Sequence, residues 1–367
     1  MPGGRSREAA PSREVDGSAS DRTPLSPAPE AGVAERMRAA VRDRYGPVSA
    51  VAVQEVPVPA PAAGEVLIEV CSAGLDRGVW HVVTGLPYLM RLTGFGLRRP
   101  RQPVLGSDVA GRVVASGPDV DRPRVGDAVV GIGSGTFARY TVARADRLVP
   151  KPTRLSFGQA AAAPTSGLAA MQAVHEVGRV EAGQHVLVLG ASGGVGSLAV
   201  QLAALAGARV TGVAGRAKLD LVRSLGADRV IDYAQDDPCD GSIRYDLILD
   251  IGGRRRLGTL RTALTRDGTL VIVGGENGGR WTGGVGRQLR AVLRSTVSRQ
   301  RLTAFVSSPT PQRLERLRLA LEQGLTPVVT ETYSLKEVPR ALRDLEAGRI
   351  RGKSVIEVRS TREQGPD

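Results

Sequence analysis

The stretch from His185 to Asp232 constrains this chain more than any other. It opens with His185-Val186-Leu187-Val188-Leu189, short, partly β-branched and followed by glycine, which reads as a buried strand. The turn Gly190-Ala191-Ser192-Gly193-Gly194-Val195-Gly196 comes next. Val195, Leu198, Ala199, Leu202, Ala203 and Leu205 then recur at helical spacing, with no proline or β-branched cluster to interrupt them. Arg209-Val210-Thr211-Gly212-Val213 supplies a second strand. A helix start offers N–H groups without intrahelical acceptors and a partial positive charge, both suited to a pyrophosphate. Glycine lets the backbone approach the phosphates and lets the helix pack on the strand. With strand, helix and strand all in place, Ser192, Gly193, Gly194 and Val195 are expected to cradle a dinucleotide.

The end of the second strand selects the dinucleotide. An NAD site places Asp or Glu there, against the ribose 2′-hydroxyl. Here the residues are Val213-Ala214-Gly215-Arg216-Ala217-Lys218, with no acid before Asp220. Arg216 and Lys218, next to Gly215, can instead pair with a 2′-phosphate through charge-assisted hydrogen bonds. NADPH is therefore the expected cofactor.

The remaining sequence sets the frame. A chain of 367 residues suggests two domains. Residues 1–33 are rich in Pro, Ser and Gly without apolar periodicity, so a disordered tail is expected, and residues 359–367 form a second tail. Acids at 8, 14, 16 and 21 argue against a transit peptide, and no secretory apolar segment is visible, so the cytoplasm is expected. Cys71 and Cys239 are the only cysteines, which implies no disulfide framework. The uncharged run Val186–Ala208 is long enough for a bilayer, but its glycines and polar residues fit a buried turn, so no membrane span is expected. The net charge of +13 could suggest nucleic acid or an anionic membrane. Yet lysine occurs only at 151, 218, 336 and 353, and the other 46 of the 50 basic residues are arginines scattered along the chain. That pattern reads as compositional bias, and no nucleic-acid partner is expected.

From Met37 the pattern is β-rich, with Val51–Val53 and Val66–Val70 joined by a proline-rich turn, then Val104–Ser116, Ala128–Ile132 and Ala138–Val142. Residues 160–308 alternate strand and helix, with strands expected at 186–190, 209–213, 229–232, 246–250, 269–274 and 303–306. A helix over Gln312–Gln323 leads back toward the first part.

Several segments together resemble the zinc-free, quinone-oxidoreductase-like branch of the medium-chain dehydrogenase/reductase superfamily. They are Ala191-Ser192-Gly193-Gly194-Val195-Gly196, Leu225-Gly226-Ala227-Asp228 with Ile231-Asp232-Tyr233, Asp250-Ile251-Gly252-Gly253, and Arg351-Gly352-Lys353-Ser354-Val355-Ile356. The resemblance implies an α/β chain. A Rossmann doubly wound parallel sheet over 160–308 would be joined to a discontinuous, mostly antiparallel, barrel-like (chaperonin-10-like) substrate domain over 34–159 and 309–358. It implies that Lys218 and Tyr233 hold the 2′-phosphate, that Val273, Gly274 and Phe305 approach the nicotinamide, and that Lys353 belongs to the cofactor site. Where the family usually has Thr the chain has Ala169; Thr165 is the stand-in.

The zinc enzymes of this superfamily need Cys and His ligands. Asp76 stands nearest the first cysteine's place, Gly106-Ser107-Asp108 stands where Gly-His-Glu would be, and the only histidines are His81, His175 and His185. No metal is therefore expected. Asp76, His81 and Tyr88 are the candidate catalytic or substrate-pocket residues, with capping of a helix by Asp76 and a surface position for His81 as the plainer alternatives. The resemblance implies an NADPH-dependent reductase of quinones or α,β-unsaturated carbonyls acting on a small molecule, and a homodimer. The alternatives are an enoyl-thioester reductase, or an NADPH-binding protein whose main role is binding RNA or a partner. Two segments look extra: Pro87–Pro100, a candidate lid, and Trp281–Arg301. In the second, Leu289, Leu293 and Val297 share one face and Arg287, Arg290 and Arg294 another. That reads as a surface helix against the core or a dimer partner, with an anionic membrane surface as the alternative.

Overall fold

A computed structural model describes residues 36–274, 279–295 and 298–358, with only the backbone described at Thr93 and Gly94. The expectations for both tails, and for Val297, lie outside the described residues.

Six parallel strands form one sheet: Arg229–Asp232, Arg209–Ala214, His185–Leu189, Tyr245–Asp250, Leu264–Ile272 and Arg301–Ala304, in that spatial order. The chain starts in the middle, builds outward to one side, then crosses over and builds the other. This is the doubly wound order, whose ligand crevice lies where the two halves diverge. Here that point is between His185–Leu189 and Tyr245–Asp250. The continuous apolar run of the first strand follows from burial on both faces. Val186 and Val188 pack with Leu198, Ala199 and Leu202 of the helix Gly194–Leu205, whereas Leu187 and Leu189 pack with Leu260, Leu270 and Ile272 on the opposite face. Full burial of each such side chain contributes roughly 1.5–3 kcal/mol. The strand stops one residue earlier than expected, because Gly190 takes φ +85°, which ordinary side chains disfavour.

The second large sheet is mixed. Its long central strand, Glu65–Leu75, pairs antiparallel with Asp108–Ser116, with Tyr140–Arg144 and with Lys353–Glu357. Val329–Ser334 runs parallel to Lys353–Glu357, so strands from the C-terminal part complete a sheet begun before residue 76. The helix Pro311–Glu322, N-capped by the Thr310 hydroxyl, carries the chain back to it. The strands on either side of the proline-rich turn do not pair with each other. Ala52–Pro57 instead pairs with Arg36–Val41 in a separate two-stranded sheet, with Met37, Ala39 and Val41 buried beneath it. The two large sheets meet where it matters: Gly193 of the glycine turn forms a parallel bridge with Gly352, and the Gly352 N–H donates to the Ser192 carbonyl at 2.7 Å.

Candidate active site

The helix Gly194–Leu205 begins at Gly193 with no side-chain cap. Its first-turn N–H groups therefore have no polar side chain from the N-cap to satisfy them, which suits an anion. The glycines are required by contact: a Cβ on Gly196 would lie 2.1 Å from the Gly190 carbonyl oxygen, and one on Gly194 would lie 2.6 Å from Lys353 Cδ and 2.9 Å from Ser166 Oγ. Lys353 is therefore laid across the start of the helix. Its side chain is 4% exposed, and its Nζ is buried without a hydrogen-bond partner. An ammonium in that state needs an anion, and the nearest is Asp108 Oδ2 at 3.7 Å, within ion-pair range but beyond hydrogen-bond reach.

Asp108 is fully buried at the start of the strand Asp108–Ser116. Burial pushes its carboxyl up to about 7; Lys353 opposes that shift, nearby Asp76 adds to it, and the bonds from Thr165 oppose it. Thr165 donates its hydroxyl to Asp108 Oδ1 at 2.5 Å and its N–H to both carboxylate oxygens at 3.2 Å. Asp108 escaped the sequence-based choice of site residues, although a carboxylate at the head of the otherwise mostly apolar run Asp108-Val109-Ala110-Gly111-Arg112-Val113-Val114 was a usable signal. Thr165, expected near the nicotinamide, is engaged with this carboxylate.

At the end of the second strand, Gly215 faces Tyr233: a Cβ there would sit 3.3 Å from the Tyr233 hydroxyl, and Tyr233 is 59% exposed. Arg216 is exposed beside them. Lys218 is turned to the C-terminal segment, donating to the carbonyls of Gly348 and Ile350, each at 2.8 Å. Burial, with Arg351 close by, lowers its pKa. Arg351 pairs with Asp220 at 2.7 Å, which engages the first acid after the strand. The structure thus gathers Gly215, Arg216 and Tyr233 and ties Lys218 to the C-terminal segment behind them.

At the other end of the crevice, Val273 and Phe305 are partly buried against the same core as the glycine helix. Gly274 is forced: a Cβ would lie 2.1 Å from the Ile251 carbonyl oxygen. Asp250 closes this side, its carboxylate accepting from the Gly253 N–H at 3.0 Å and pairing with Arg287; burial raises its pKa and Arg287 opposes the rise.

The candidates of the first domain are spread apart in role. Asp76 caps the helix Arg77–Thr84, Oδ1 accepting from the Val79 N–H at 3.2 Å, while its buried Oδ2 has no hydrogen-bond partner. His81 Nδ1 lies 2.6 Å from the Leu86 carbonyl, and since a carbonyl only accepts, Nδ1 carries the proton. Neutral His81 then has no proton on Nε2. Tyr88 packs edge-on against Trp281, ring centroids 5.2 Å apart, and its N–H donates to the Arg280 carbonyl at 2.8 Å. The two extra-looking segments are therefore neighbours. Arg287, which the spacing groups with Arg290 and Arg294, points inward to Asp250 while those two are exposed.

The comparisons with known proteins agree with this geometry. Residues 62–153 match the model of the alcohol dehydrogenase GroES-like domain, and 225–356 that of the zinc-binding dehydrogenase. A chloroplastic quinone-oxidoreductase, QR1, of Triphysaria versicolor is 31% identical over 339 residues, covering 88% of this chain and 98% of that protein. The mitochondrial NAD(P)H oxidoreductase RTN4IP1 of Mus musculus is 33% identical over 277 residues, covering 69% of this chain and 70% of its own. A solved quinone oxidoreductase from Coxiella burnetii superposes with a TM-score of 0.77 at 27% identity, covering 89% of this chain and all of that one. The chain belongs to the quinone-oxidoreductase-like branch of the medium-chain dehydrogenase/reductase superfamily. It is an oxidoreductase of the kind that binds a nicotinamide nucleotide.

The name of the second family model implies zinc, and the residues do not fit it. Asp76 is committed to a helix cap, Asp108 accepts from Thr165 and faces an ammonium, and no group of three or more His, Cys, Asp or Glu among the described residues could hold a metal.

Proposed function

We propose that the protein is an NADPH-dependent, zinc-independent oxidoreductase that delivers hydride to a quinone or an α,β-unsaturated carbonyl. The observation that carries this reading is the buried ammonium of Lys353, without a hydrogen-bond partner and laid across an uncapped glycine helix start. NADPH fits there. Gly193, Gly194 and Val195 would present N–H groups to the pyrophosphate with Lys353 above them, and Ser192 would line the same turn. Gly215, Arg216 and Tyr233 would take the 2′-phosphate end, and Lys218 supports the adjoining loop. Val273, Gly274 and Phe305 would flank the nicotinamide.

Bound there, the cofactor supplies the hydride, and the protein's task is alignment, which can lower a barrier by as much as about 7–11 kcal/mol. Asp76, His81 and Tyr88 are proposed to wall the substrate side. With Nδ1–H held by Leu86, His81 offers a proton from Nε2 only as the imidazolium. A flat conjugated acceptor is consistent with the ring pair Tyr88 and Trp281 at the edge of this wall. The names of the relatives, quinone oxidoreductase and NAD(P)H oxidoreductase, support the acceptor class and the cofactor class.

The test is steady-state NADPH oxidation by the purified, chelator-treated protein against a panel of quinones, enones and enoyl thioesters. Turnover of quinones or enones is expected. Turnover confined to enoyl thioesters would reassign the acceptor, and activity that returned only with added zinc would end this reading.

A further inference from the structure

The helix Val285–Ser295 is built the wrong way round for a helix that rests on a core. Its buried contact is Ala291, and its inward attachment is ionic, Arg287 pairing with Asp250 and donating to the Arg255 carbonyl at 2.9 Å. Its leucines face out: Leu289 is 60% exposed and Leu293 69%. Trp281, just before it, is 75% exposed. The segment that touches Trp281 through Tyr88 and Leu89 continues the pattern, with Leu92 at 70% and Leu97 at 63%. Eight of the thirteen large apolar side chains exposed among the described residues lie in these two short stretches, so the exposure is concentrated rather than scattered.

The charged side chains that these stretches themselves carry have one sign. Neither 77–107 nor 279–314 contains an acid, and Arg290 and Arg294 stand exposed beside the leucines. We propose that this surface docks on an anionic lipid bilayer. Exposed leucines flanked by arginines on one helix, with an exposed tryptophan in the turn before it, is the composition that lies in a bilayer interface, apolar groups entering the acyl boundary while guanidinium groups meet lipid phosphates. A second copy of the chain fits poorly, because a twofold contact would set this cationic patch against itself. RNA would satisfy the arginines but not the exposed leucines, since single strands are bound by stacking on aromatic rings. No helix among the described residues is long and apolar enough to cross a membrane, so the contact is peripheral. This inference is independent of the hydride acceptor.

The experiment is flotation of the full chain with vesicles of phosphatidylcholine alone or mixed equally with phosphatidylglycerol. Binding to the anionic vesicles only, weakened by high salt, is expected. Leu289→Ser with Leu293→Ser should reduce the partition coefficient by at least about tenfold, the loss of roughly one leucine's burial. Arg290→Gln with Arg294→Gln should reduce it and flatten the salt dependence. Both pairs are exposed, so the fold and NADPH binding should be unchanged, which circular dichroism and cofactor titration check. Absence of binding to anionic vesicles, binding unaffected by either pair, conversion of a dimer to monomer by the leucine pair in sedimentation equilibrium, or loss of RNA binding without loss of lipid binding would each overturn the proposal.

Discussion

The ammonium of Lys353 lies 3.7 Å from Asp108 Oδ2, and both side chains are buried at the seam between the two sheets. Asp108 comes from the strand after the mixed sheet's central strand, and Lys353 from the last strand among the described residues, beside the bridge to Gly193. This pair ties the strand Lys353–Glu357 to the strand Asp108–Ser116, while the lysine's stem lies against Gly194 at the start of the glycine helix. It also leaves a positive charge where a pyrophosphate would bring two negative ones.

Lys353→Met should raise the dissociation constants of NADPH and NADH together, each by roughly tenfold to a hundredfold, the cost of one charge-assisted hydrogen bond. Both cofactors carry the same pyrophosphate, so their ratio should hold. Cofactor fluorescence titration measures it, and a selective loss of NADPH would move Lys353 to the 2′-phosphate.

Arg216→Glu should separate the two cofactors instead. Arg216 is exposed beside Gly215 and Tyr233, so reversal leaves the core untouched. NADPH should weaken by at least about tenfold and NADH by less than about threefold. Equal losses would remove the 2′-phosphate from this end of the crevice.

Asp108 makes stability depend on pH in a definite direction. Its native carboxyl is raised, chiefly by burial, from 3.8 to about 7, so across that window the native state holds a proton that the unfolded chain has released. Stability from this group is complete below the lower value and is lost as pH rises toward the upper one. The difference in unfolding free energy between the wild type and Asp108→Asn should therefore shift in favour of the variant across this window, as urea unfolding at several pH values would show. Parallel profiles would mean that the carboxyl titrates normally.

Gly196→Ala should destabilise by roughly 1–3 kcal/mol, because the new methyl would meet the Gly190 carbonyl oxygen and force the helix off the strand. Thermal unfolding measures the loss. Cofactor binding should fall with it, since the same displacement moves the N–H groups of Gly194 and Val195.

Much of this was legible in the sequence because the signals are local. The run His185–Leu189 and the apolar spacing from Val195 to Leu205 fix a strand and a helix by periodicity, and glycines mark the tight contact between them. What could not be read depends on which strands become neighbours. The pairing of Ala52–Pro57 with Arg36–Val41 is set by distant burial, not by the proline-rich turn. The meeting of Asp108, Thr165 and Lys353, separated by long stretches of sequence, exists only once both sheets are assembled. For helix 285–295 the spacing shows an apolar face but not its direction, which is set by the buried Asp250 drawing Arg287 inward. Lys218 lies where the pattern put it, yet nothing in the sequence showed that Gly348 and Ile350 would hold its ammonium.

The most direct measurement is equilibrium titration of the purified wild type with NADPH and with NADH. Saturable binding of both, with NADPH tighter by at least about tenfold, is the expected result. Binding of neither nucleotide, or equal affinity for the two, would contradict it.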